Sequence, residues 1–396
     1  MELALVIATA SLVGSTLSLN FPLLSLVLER EGLDPAAIGL NATASGLGVF
    51  VVAPMLARIL RRIGARGAMM AGILLSAAGM MLLPVWVHFG FWYAIRLLVS
   101  CGTALVFIVS EAAINALAPE SHRGRILGLY ATVFSIGYTA GPLVIAAAGS
   151  TGMLPFLISA AFYLAGLVPT LLARGLDRAL AAGGSAHGLR HFAGLLGRAP
   201  LAFLAIFVFG VVETAQFALL PIWGLALGRA EGTTALMLSV WVAGNILVQY
   251  PVGVLADRLP RRLVLAGCAL VTTILLSALP LLAQVEPLLW LLLLLLGGVT
   301  GAIYTLALVL IGETFRGIDL ALANTAFVIM IQLGAALGPG YAGVGMSLFG
   351  PHGLPLALAC ASGILTAAAA RRGTGLPVAA AALVDPADPP GPRRRT

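Results

Sequence analysis

The sequence predicts an all-α membrane protein whose twelve transmembrane helices form two pseudo-symmetric six-helix bundles. Hydrophobic residues make up 60% of the chain and charged residues 9%, whereas roughly a quarter of an ordinary soluble domain is charged. Apolar runs of the ~20 residues needed to cross a bilayer recur along the whole chain. The chain also aligns with itself when it is shifted by half its length. Because no soluble fold could keep so much apolar surface from water, we expect lipid to be the solvent.

The internal match is carried by landmark residues at a nearly constant separation. Thr103 aligns with Thr300 and Gly141-Pro142 with Gly338-Pro339, an offset of 197 (300−103 and 338−141). Asn20 aligns with Gln216 at 196 (216−20). Two repeated halves of this size in a membrane chain are the usual frame of a secondary transporter, with the binding site between them.

Each predicted span is an apolar run bounded by turn residues or charges. The first run begins after Met1-Glu2, which is not basic, and it is too long for the h-region of a signal peptide. We therefore interpret it as a retained helix. The twelve spans are predicted at about 3–28, 35–60, 67–87, 89–117, 124–149, 153–173, 200–227, 233–256, 262–283, 287–312, 318–346 and 353–371.

Arginine placement predicts the orientation of the spans. The chain has no lysine, and 19 of its 22 arginines fall on one side if the amino terminus is cytoplasmic. Arg30 and Arg229 fall on the other side, and Arg96 falls inside a span. This bias follows the positive-inside rule. It predicts a multi-pass protein of the bacterial inner membrane with both termini in the cytoplasm.

The predicted domains are an N-terminal bundle over 1–173, a cytoplasmic linker over 174–199, a C-terminal bundle over 200–371 and a disordered tail over 372–396. The linker carries His187 and His191, but two histidines on a basic loop are weak evidence for a metal site. The three cysteines sit in apolar runs without a metal-ligand or disulfide pattern. We expect no metal and no cofactor.

Several motifs resemble those of the major facilitator superfamily. Gly253-Val-Leu-Ala-Asp257-Arg258-Leu-Pro-Arg261-Arg262 is similar to the family's loop motif between helices 8 and 9, with Pro260 where glycine is usual. Its counterpart between helices 2 and 3 has Arg58 near the place of the acidic residue. Arg96-Leu-Leu-Val-Ser-Cys-Gly102 resembles the helix 4 motif, with Val99 and Ser100 departing from it.

The sequence Gly137-x-x-x-Gly141-Pro142 resembles the family's helix 5 motif associated with antiporters. It recurs in helix 11 as Gly334-x-x-x-Gly338-Pro339, so here it does not by itself argue for antiport. The chain looks most like a bacterial branch that is drug-efflux-like or of unassigned substrate. The resemblance covers essentially the whole membrane portion. It implies alternating access, with helices 1, 4, 7 and 10 lining a central cavity.

Two charged residues inside spans are the candidates for proton coupling. Glu213 lies near the middle of helix 7, where a carboxylate costs about 2.5–3.5 kcal/mol on insertion scales. Loss of hydration disfavours the charged form, so this group can bind and release a proton. The alternative is a structural carboxylate bonded to a neighbouring helix. Arg96 either snorkels to the interface or, as the resemblance implies, faces inward, with Glu213 as one candidate partner.

Polar and aromatic residues on the four expected cavity helices are candidates for substrate binding, although each residue alone is more often a packing residue. Their coincidence in the repeat favours the set: Asn20, Thr103, Phe107, Gln216, Thr300 and Tyr304.

A third group is expected to form a cytoplasmic gate, in which charges pair when that side closes and separate when it opens. The alternative is ordinary capping and solvated loop charge. Glu111 lies deeper than Glu313, so part of its role is expected in the cavity. The predicted gate comprises Arg58, Arg62, Glu111, Arg123, Asp257, Arg258, Arg262, Glu313 and Arg316.

The sequence shows no phosphate-binding loop and no catalytic constellation, so we expect neither an enzyme nor an ATPase. The leading hypothesis is proton-coupled export of a small, partly apolar molecule. The alternatives are proton-coupled uptake of a metabolite and a non-transporting membrane receptor or scaffold. The expected partners are a small-molecule substrate, protons and the lipid bilayer, with no nucleic acid and a monomeric state.

Overall fold

The computed structural model describes residues 1–117, 123–180 and 189–373. Within these ranges it is built from α-helices and two short 3₁₀ turns, Ala53–Met55 and Leu83–Val85. The α-helices are α1 Glu2–Arg30, α2 Pro35–Val52, α3 Leu56–Leu82, α4 Phe89–Leu117, α5 Arg123–Ala148, α6 Leu154–Leu172, α7 Leu176–Leu180, α8 Leu189–Arg198, α9 Pro200–Ala226, α10 Glu231–Arg258, α11 Arg261–Leu282, α12 Glu286–Thr314, α13 Gly317–Phe349 and α14 Gly353–Gly373.

The described helices contain 10 segments that are long and apolar enough to cross a membrane. One of them, Pro35–Val85, contains the second and third predicted spans, and the shorter apolar part of α5, Thr132–Ala148, corresponds to the fifth, which gives twelve in all. The predicted all-α class is therefore confirmed. The predicted tail from residue 374 onward and His187 of the linker lie outside the described residues, as do the side chains of Arg123 and His191.

The long segment Pro35–Val85 reverses direction at Gly64. Gly64 has φ 72°, a conformation that costs glycine little and other residues more. The carboxylate of Asp177 in α7 accepts hydrogen bonds from the backbone N–H groups of Ala65 at 2.6 Å and Arg66 at 3.1 Å. Asp177 therefore satisfies amide groups that a helix start leaves without intrahelical partners. This contact fixes the third span against the short helix that follows the sixth.

The helices pack as two bundles with matching neighbour relations. In the first bundle α1 packs on α5 and α6, and α4 packs on α2 and α3. In the second, α9 packs on α13 and α14, and α12 packs on α10 and α11. Each pair of the first bundle thus has a counterpart in the second, which is the structural form of the repeat in the sequence.

The repeated Gly-x-x-x-Gly-Pro motif brings one helix close to the first helix of its bundle. A Cβ on Gly141 would press against the backbone N of Leu19 in α1, and a Cβ on Gly338 would press against the carbonyl oxygen of Val211 in α9. Small residues at such positions let helix backbones approach closely, which drives helix association in lipid. The motif therefore has the same packing role in both bundles.

The two bundles join mainly through α2 with α13 and α5 with α10. A Cβ on Gly39 would meet the carbonyl oxygen of Pro339, and one on Gly343 would meet that of Pro35. These contacts lie toward the end of the molecule formed by residues 31–34, 149–153, 227–230 and 350–352, which we call the closed end. The opposite end, formed by residues 56–66, 258–262 and 314–317, is the arginine-rich end.

We predict that Gly338→Val destabilises the protein, because its branched side chain would be forced against the backbone of α9. Overpacking of this kind costs about 1–3 kcal/mol. Gly267→Val is the matched control, since nothing lies within 4 Å of the corresponding Cβ. Thermal unfolding of the purified proteins in detergent should show a lower midpoint for Gly338→Val only. Equal midpoints would contradict the packing role of the motif.

Candidate functional site

Glu213 lies at mid-depth in α9 and is only partly buried. Among the described residues, no hydrogen bond or ion pair reaches its carboxyl. Its carboxyl interacts electrostatically with the phenols of Tyr138 in α5 and Tyr304 in α12. Tyr138 belongs to the first bundle and Tyr304 to the second, so the carboxyl lies between the two halves. That this group faces a cavity rather than lipid stays a prediction.

A row of aromatic rings on α5 forms the wall on the first-bundle side. Tyr130, Phe134 and Tyr138 lie four residues apart on one face of the helix, with ring centroids 5.9 Å and 5.5 Å apart in succession. Phe107 of α4 packs edge-on against Phe134 at 5.9 Å. Tyr138 then meets Phe217 of α9 at 4.9 Å, which extends the aromatic row across the interface between the bundles.

The wall on the second-bundle side is a smaller aromatic cluster centred on Tyr304. The ring of Tyr304 lies 5.3 Å from Phe209 of α9 and 5.3 Å from Phe327 of α13. These contacts hold Tyr304 of α12 against two other helices, while its phenol interacts electrostatically with Glu213.

Glu111 is a second carboxyl, and it shares one phenol, that of Tyr304, with Glu213. It is exposed near the end of α4 and is in electrostatic contact with Tyr130 and Tyr304. Tyr304 therefore lies between two carboxyls, one at mid-depth and one nearer the arginine-rich end. We call Glu111, Tyr130, Tyr138, Glu213 and Tyr304 the central site.

Arg96 is buried away from this site. It is 2% exposed, its Nε donates to Ser45 at 2.7 Å and its Nη1 donates to Asn41 at 3.1 Å, both on α2. Its guanidinium also lies 5.5 Å from the ring centroid of Phe21. No ion pair joins it to a described carboxylate. Arg96 thus ties α4 to the helix that closes against α13, and it does not meet Glu213 in this conformation.

Two of the predicted binding residues belong to a polar network inside the first bundle. The side-chain oxygen of Asn20 accepts a hydrogen bond from Ser159 at 2.6 Å, and its amide donates to Tyr163 at 3.4 Å. The Tyr163 hydroxyl lies 3.1 Å from the hydroxyl of Thr103, which in turn lies 3.4 Å from that of Ser76. Asn20 and Thr103 therefore connect α1, α3, α4 and α6.

Their counterparts in the second bundle are buried without such partners. Gln216 is 1% exposed and Thr300 is fully buried. The Oε1 atom of Gln216 and the Oγ1 atom of Thr300 have no hydrogen-bond partner. The repeat in sequence thus does not extend to the hydrogen bonds.

Among the predicted gate residues, the ion pairs that the structure describes at the arginine-rich end join residues of the same bundle. Asp257 and Glu313 both pair with Arg261, which belongs to their own half, and the Asp257 pair is long at 4.0 Å. Arg316 donates to the carbonyl of Gly312. The remaining arginines of the set with described side chains are exposed, namely Arg58, Arg62, Arg258 and Arg262.

The closed end carries side-chain hydrogen bonds and an ion pair between the bundles. Arg30 donates to Glu231 at 2.8 Å and to the hydroxyl of Ser150 at 2.7 Å, and Glu231 also accepts from the N–H of Ser150 at 2.7 Å. Ser347 of α13 donates to Asp34 at 2.9 Å. We call the contact of Arg30, Ser150 and Glu231 the latch. Glu111 of the central site is exposed on the side of the arginine-rich end.

Sequence reasoning missed Tyr130, Phe134 and Tyr138. Their four-residue spacing is visible in the sequence and predicts one aromatic face of a helix. The expectation that helices 1, 4, 7 and 10 line the cavity does not include helix 5, which is α5 in the structure. Among the described residues, no group of three or more His, Cys, Asp or Glu side chains could hold a metal ion.

Comparisons with known proteins identify relatives along the whole chain. The family model described as Major Facilitator Superfamily matches residues 4–228 and 202–395. The chain is 27% identical over 274 residues to the uncharacterized MFS-type transporter YfkF of Bacillus subtilis (strain 168), covering 66% of this chain and 67% of YfkF. It is 26% identical over 349 residues to the uncharacterized MFS-type transporter YcaD of Salmonella typhi, covering 86% and 87%.

Solved structures share the fold at low sequence identity. The nucleoside transporter NupG superposes with a TM-score of 0.75 at 17% identity, covering 95% of this chain and 98% of that one. A bacterial homolog of the human lysosomal transporter Spinster, in an inward-facing and unoccupied conformation, gives 0.70 at 14% identity, covering 93% and 95%. At these identities the likeness shows the fold alone.

We predict that Glu231→Gln weakens closure of the closed end by removing the ion pair to Arg30. The pair is partly exposed, so its contribution is about 0.2–1 kcal/mol, which corresponds to an increase of up to about fivefold in the open population. The reporter is Ala42→Cys, on the buried face of α2, in a background without Cys101, Cys268 and Cys360. Its labelling by a membrane-impermeant maleimide should accelerate by that factor.

Glu286→Gln is the matched control for the latch. Glu286 pairs with Arg229 at the same end of the molecule, but both residues belong to the second bundle. Its loss should leave the labelling rate of the Ala42→Cys reporter unchanged. Equal acceleration by both variants would show that the latch has no special role.

Proposed function

The chain belongs to the major facilitator superfamily, and from that premise we propose that it is a proton-coupled exporter of a small, partly apolar molecule. It is a multi-pass membrane protein and a secondary transporter by family. The coupling ion, the direction of transport and the roles of single residues are the content of the proposal.

The observation that carries the proposal is the carboxyl of Glu213, partly buried between the two bundles with no described partner. A carboxylate in such a place is costly and marks an ion or substrate pathway by default. It can be neutralised by a proton or by a ligand that replaces the proton. Because both occupy one group, binding of one favours release of the other, and this exchange is the basis of antiport.

The conformational cycle follows from the two ends of the molecule. We propose that the latch holds one end shut in this conformation and that the central site opens toward the arginine-rich end, where Glu111 is exposed. With the orientation predicted from the arginines, this is the state that loads substrate from the cytoplasm. Closure of the arginine-rich end would then bring Arg58, Arg62, Arg258 and Arg262 toward the acids of the opposite bundle, as a two-state rocking motion requires.

The proposed binding residues differ from the set expected from the repeat. Phe107, Tyr304 and Gln216 remain in it, and Tyr130 and Tyr138 join them. Asn20 and Thr103 are assigned a packing role because their polar atoms are engaged within the first bundle. Arg96 is assigned an indirect role, since it ties α4 to α2 and thereby to the helix pair that closes the exit side.

Proteoliposomes with an imposed pH gradient test the coupling whatever the orientation of the inserted protein. The vesicles are acidic inside and contain trapped pyranine, and valinomycin with potassium clamps the membrane potential. Their interior should become alkaline when an exchanged compound enters. The probes are tetraphenylphosphonium, ethidium and uridine. An exchanger responds in interior-acid vesicles. A symporter, which would support proton-coupled uptake, instead accumulates the compound in exterior-acid vesicles.

We predict that Glu213→Gln abolishes proton-coupled flux, because an amide cannot take up and release the proton. The initial rate of internal alkalinisation should fall to that of protein-free vesicles. Glu31→Gln, an exposed acid in the α1–α2 loop, should retain the original rate. An unaltered rate in Glu213→Gln would remove this residue from the coupling mechanism, and lack of flux with every probe in either gradient would contradict transport of these compound classes.

A further inference from the structure

A cavity of about 310 Å³ lies at the closed end, and neither the central site nor the latch uses it. We call it the closed-end cavity. Its volume is at the lower end of the ~300–1,000 Å³ range of small-molecule pockets. The first bundle contributes Glu29, Leu33 and Pro35 to the lining, and the second bundle contributes Ile222, Met346 and Pro351. Because both bundles form the wall, the cavity keeps this shape only while they meet at this end.

The walls of the closed-end cavity are mainly apolar. Leu33 of the α1–α2 loop faces the cavity from the first bundle, and Ile222 of α9 and Met346 of α13 face it from the second. Ile222 and Met346 are otherwise buried, so they are held in place by the packing of their own bundle. The unbranched side chain of methionine adapts to ligands of irregular shape. These walls favour a ligand with an aliphatic body.

Glu29 supplies the charge of the cavity. It lies in the last turn of α1 and is partly buried, and no described group forms a hydrogen bond or an ion pair with its carboxyl. The neighbouring Arg30 is engaged in the latch. Arg229, the other arginine at this end, pairs with Glu286. Neither arginine is therefore available as a counter-ion for Glu29.

The ends of three helices add to the negative potential of the cavity. The helices α1, α9 and α13 all have their C-termini at this end, and the lining residues Glu29, Ala226 and Gly350 belong to or follow their last turns. Carbonyl groups at a helix C-terminus carry partial negative charge and favour a cation. The N-terminus of α2 at Pro35 has the opposite sign, but the carboxylate of Asp34 caps it. The cavity therefore suits a ligand with a positive charge.

We propose that the closed-end cavity binds a short aliphatic ammonium ion, whose charged group pairs with Glu29 and whose alkyl chain contacts Ile222 and Met346. The site is distinct from the central site, because Glu213 lies nine residues before Ile222 (222−213), about 14 Å along α9 at ~1.5 Å per residue.

The ligand of this cavity acts as a regulator and is not the cargo. A ligand that contacts both bundles binds the closed conformation more tightly than the open one, so it shifts the population toward closure. The bound ammonium ion thus slows the opening of this end, which alternating access requires.

Hexylammonium and hexanol test the role of charge, since they share a chain length and differ in the head group. Binding of each radiolabelled compound to the full-length protein in nanodiscs is measured by equilibrium dialysis, with empty nanodiscs to subtract partition into lipid. We expect saturable binding of hexylammonium that is at least tenfold tighter than that of hexanol. Equal affinity, or absence of saturable hexylammonium binding, would overturn the proposal.

Variants then locate the binding. Glu29→Gln keeps the shape of the side chain and removes its charge, so it should weaken hexylammonium binding about tenfold. Glu31→Gln is the matched control, because this acid of the same loop is exposed and does not line the cavity. Leu33→Trp should weaken binding by filling the cavity, whereas Leu40→Trp, at an exposed position of α2, should not. Thermal unfolding midpoints show which variants remain folded. Unchanged binding in Glu29→Gln would refute this site.

The effect on opening is measured with the Ala42→Cys reporter in the cysteine-free background. The reagent is a membrane-impermeant methanethiosulfonate, which does not react with amines. Hexylammonium at ten times its dissociation constant should lower the open population, and with it the labelling rate, about tenfold. The same concentration should have a much smaller effect when Glu29→Gln is added to the reporter. An unchanged labelling rate with the ligand bound would contradict the regulatory role.

The outcomes separate this proposal from the proposed function. Glu213→Gln should bind hexylammonium with unchanged affinity, because the two carboxyls belong to different sites. If hexylammonium binding depends on Glu29 while no probe moves protons, the closed-end cavity stands and the proton coupling fails. If proton flux depends on Glu213 while hexylammonium does not bind, the exchanger stands and the closed-end site fails.

Discussion

The close backbone contact between α2 and α13 is the interaction on which the rest of the arrangement depends. Gly39 and Gly343 leave no room for a Cβ between the two helices, so the bundles meet backbone to backbone. Lipid offers no hydrophobic drive for this association, and small residues at the interface supply it through packing. The contact lies toward one end of the molecule and fixes the two bundles to each other there.

Glu213 has no hydrogen-bond or ion-pair partner among the described residues. Most buried polar groups of the first bundle are paired, as the network from Asn20 through Tyr163 to Thr103 shows. Glu213, in contrast, is left with phenols and rings around it. Natural folds retain such unpaired groups mainly at functional sites, where the missing partner is the ligand or the proton. The unpaired carboxyl of Glu213 is therefore better explained by transport than by stability.

The fold could be predicted from the sequence far more completely than the site. Span limits follow from membrane thickness, turn residues and the placement of arginine, and these are local properties. Glu213 stood out because a mid-span carboxylate is rare. The sequence predicts which helices carry Asn20 and Thr103, but it does not predict which face of each helix these residues occupy. Both residues are therefore predicted in the cavity. Each residue turns about 100° around the helix axis, and only the positions of Tyr163 and Ser159 reveal that these side chains point into the bundle.

The repeat itself shows where the two bundles acquired different roles. Arg30 and Arg229 occupy corresponding places at the ends of α1 and α9, and they are the two arginines that break the charge bias. Arg229 pairs with Glu286 inside its own bundle, whereas Arg30 reaches Glu231 of the other one. Likewise Glu213 corresponds to Leu17, and Arg96 to Leu293 (shifts of 196 and 197). The duplicated residues build two equivalent bundles. A rocking motion also needs charges that favour one state over the other, and such a bias has to come from residues that the two halves do not share.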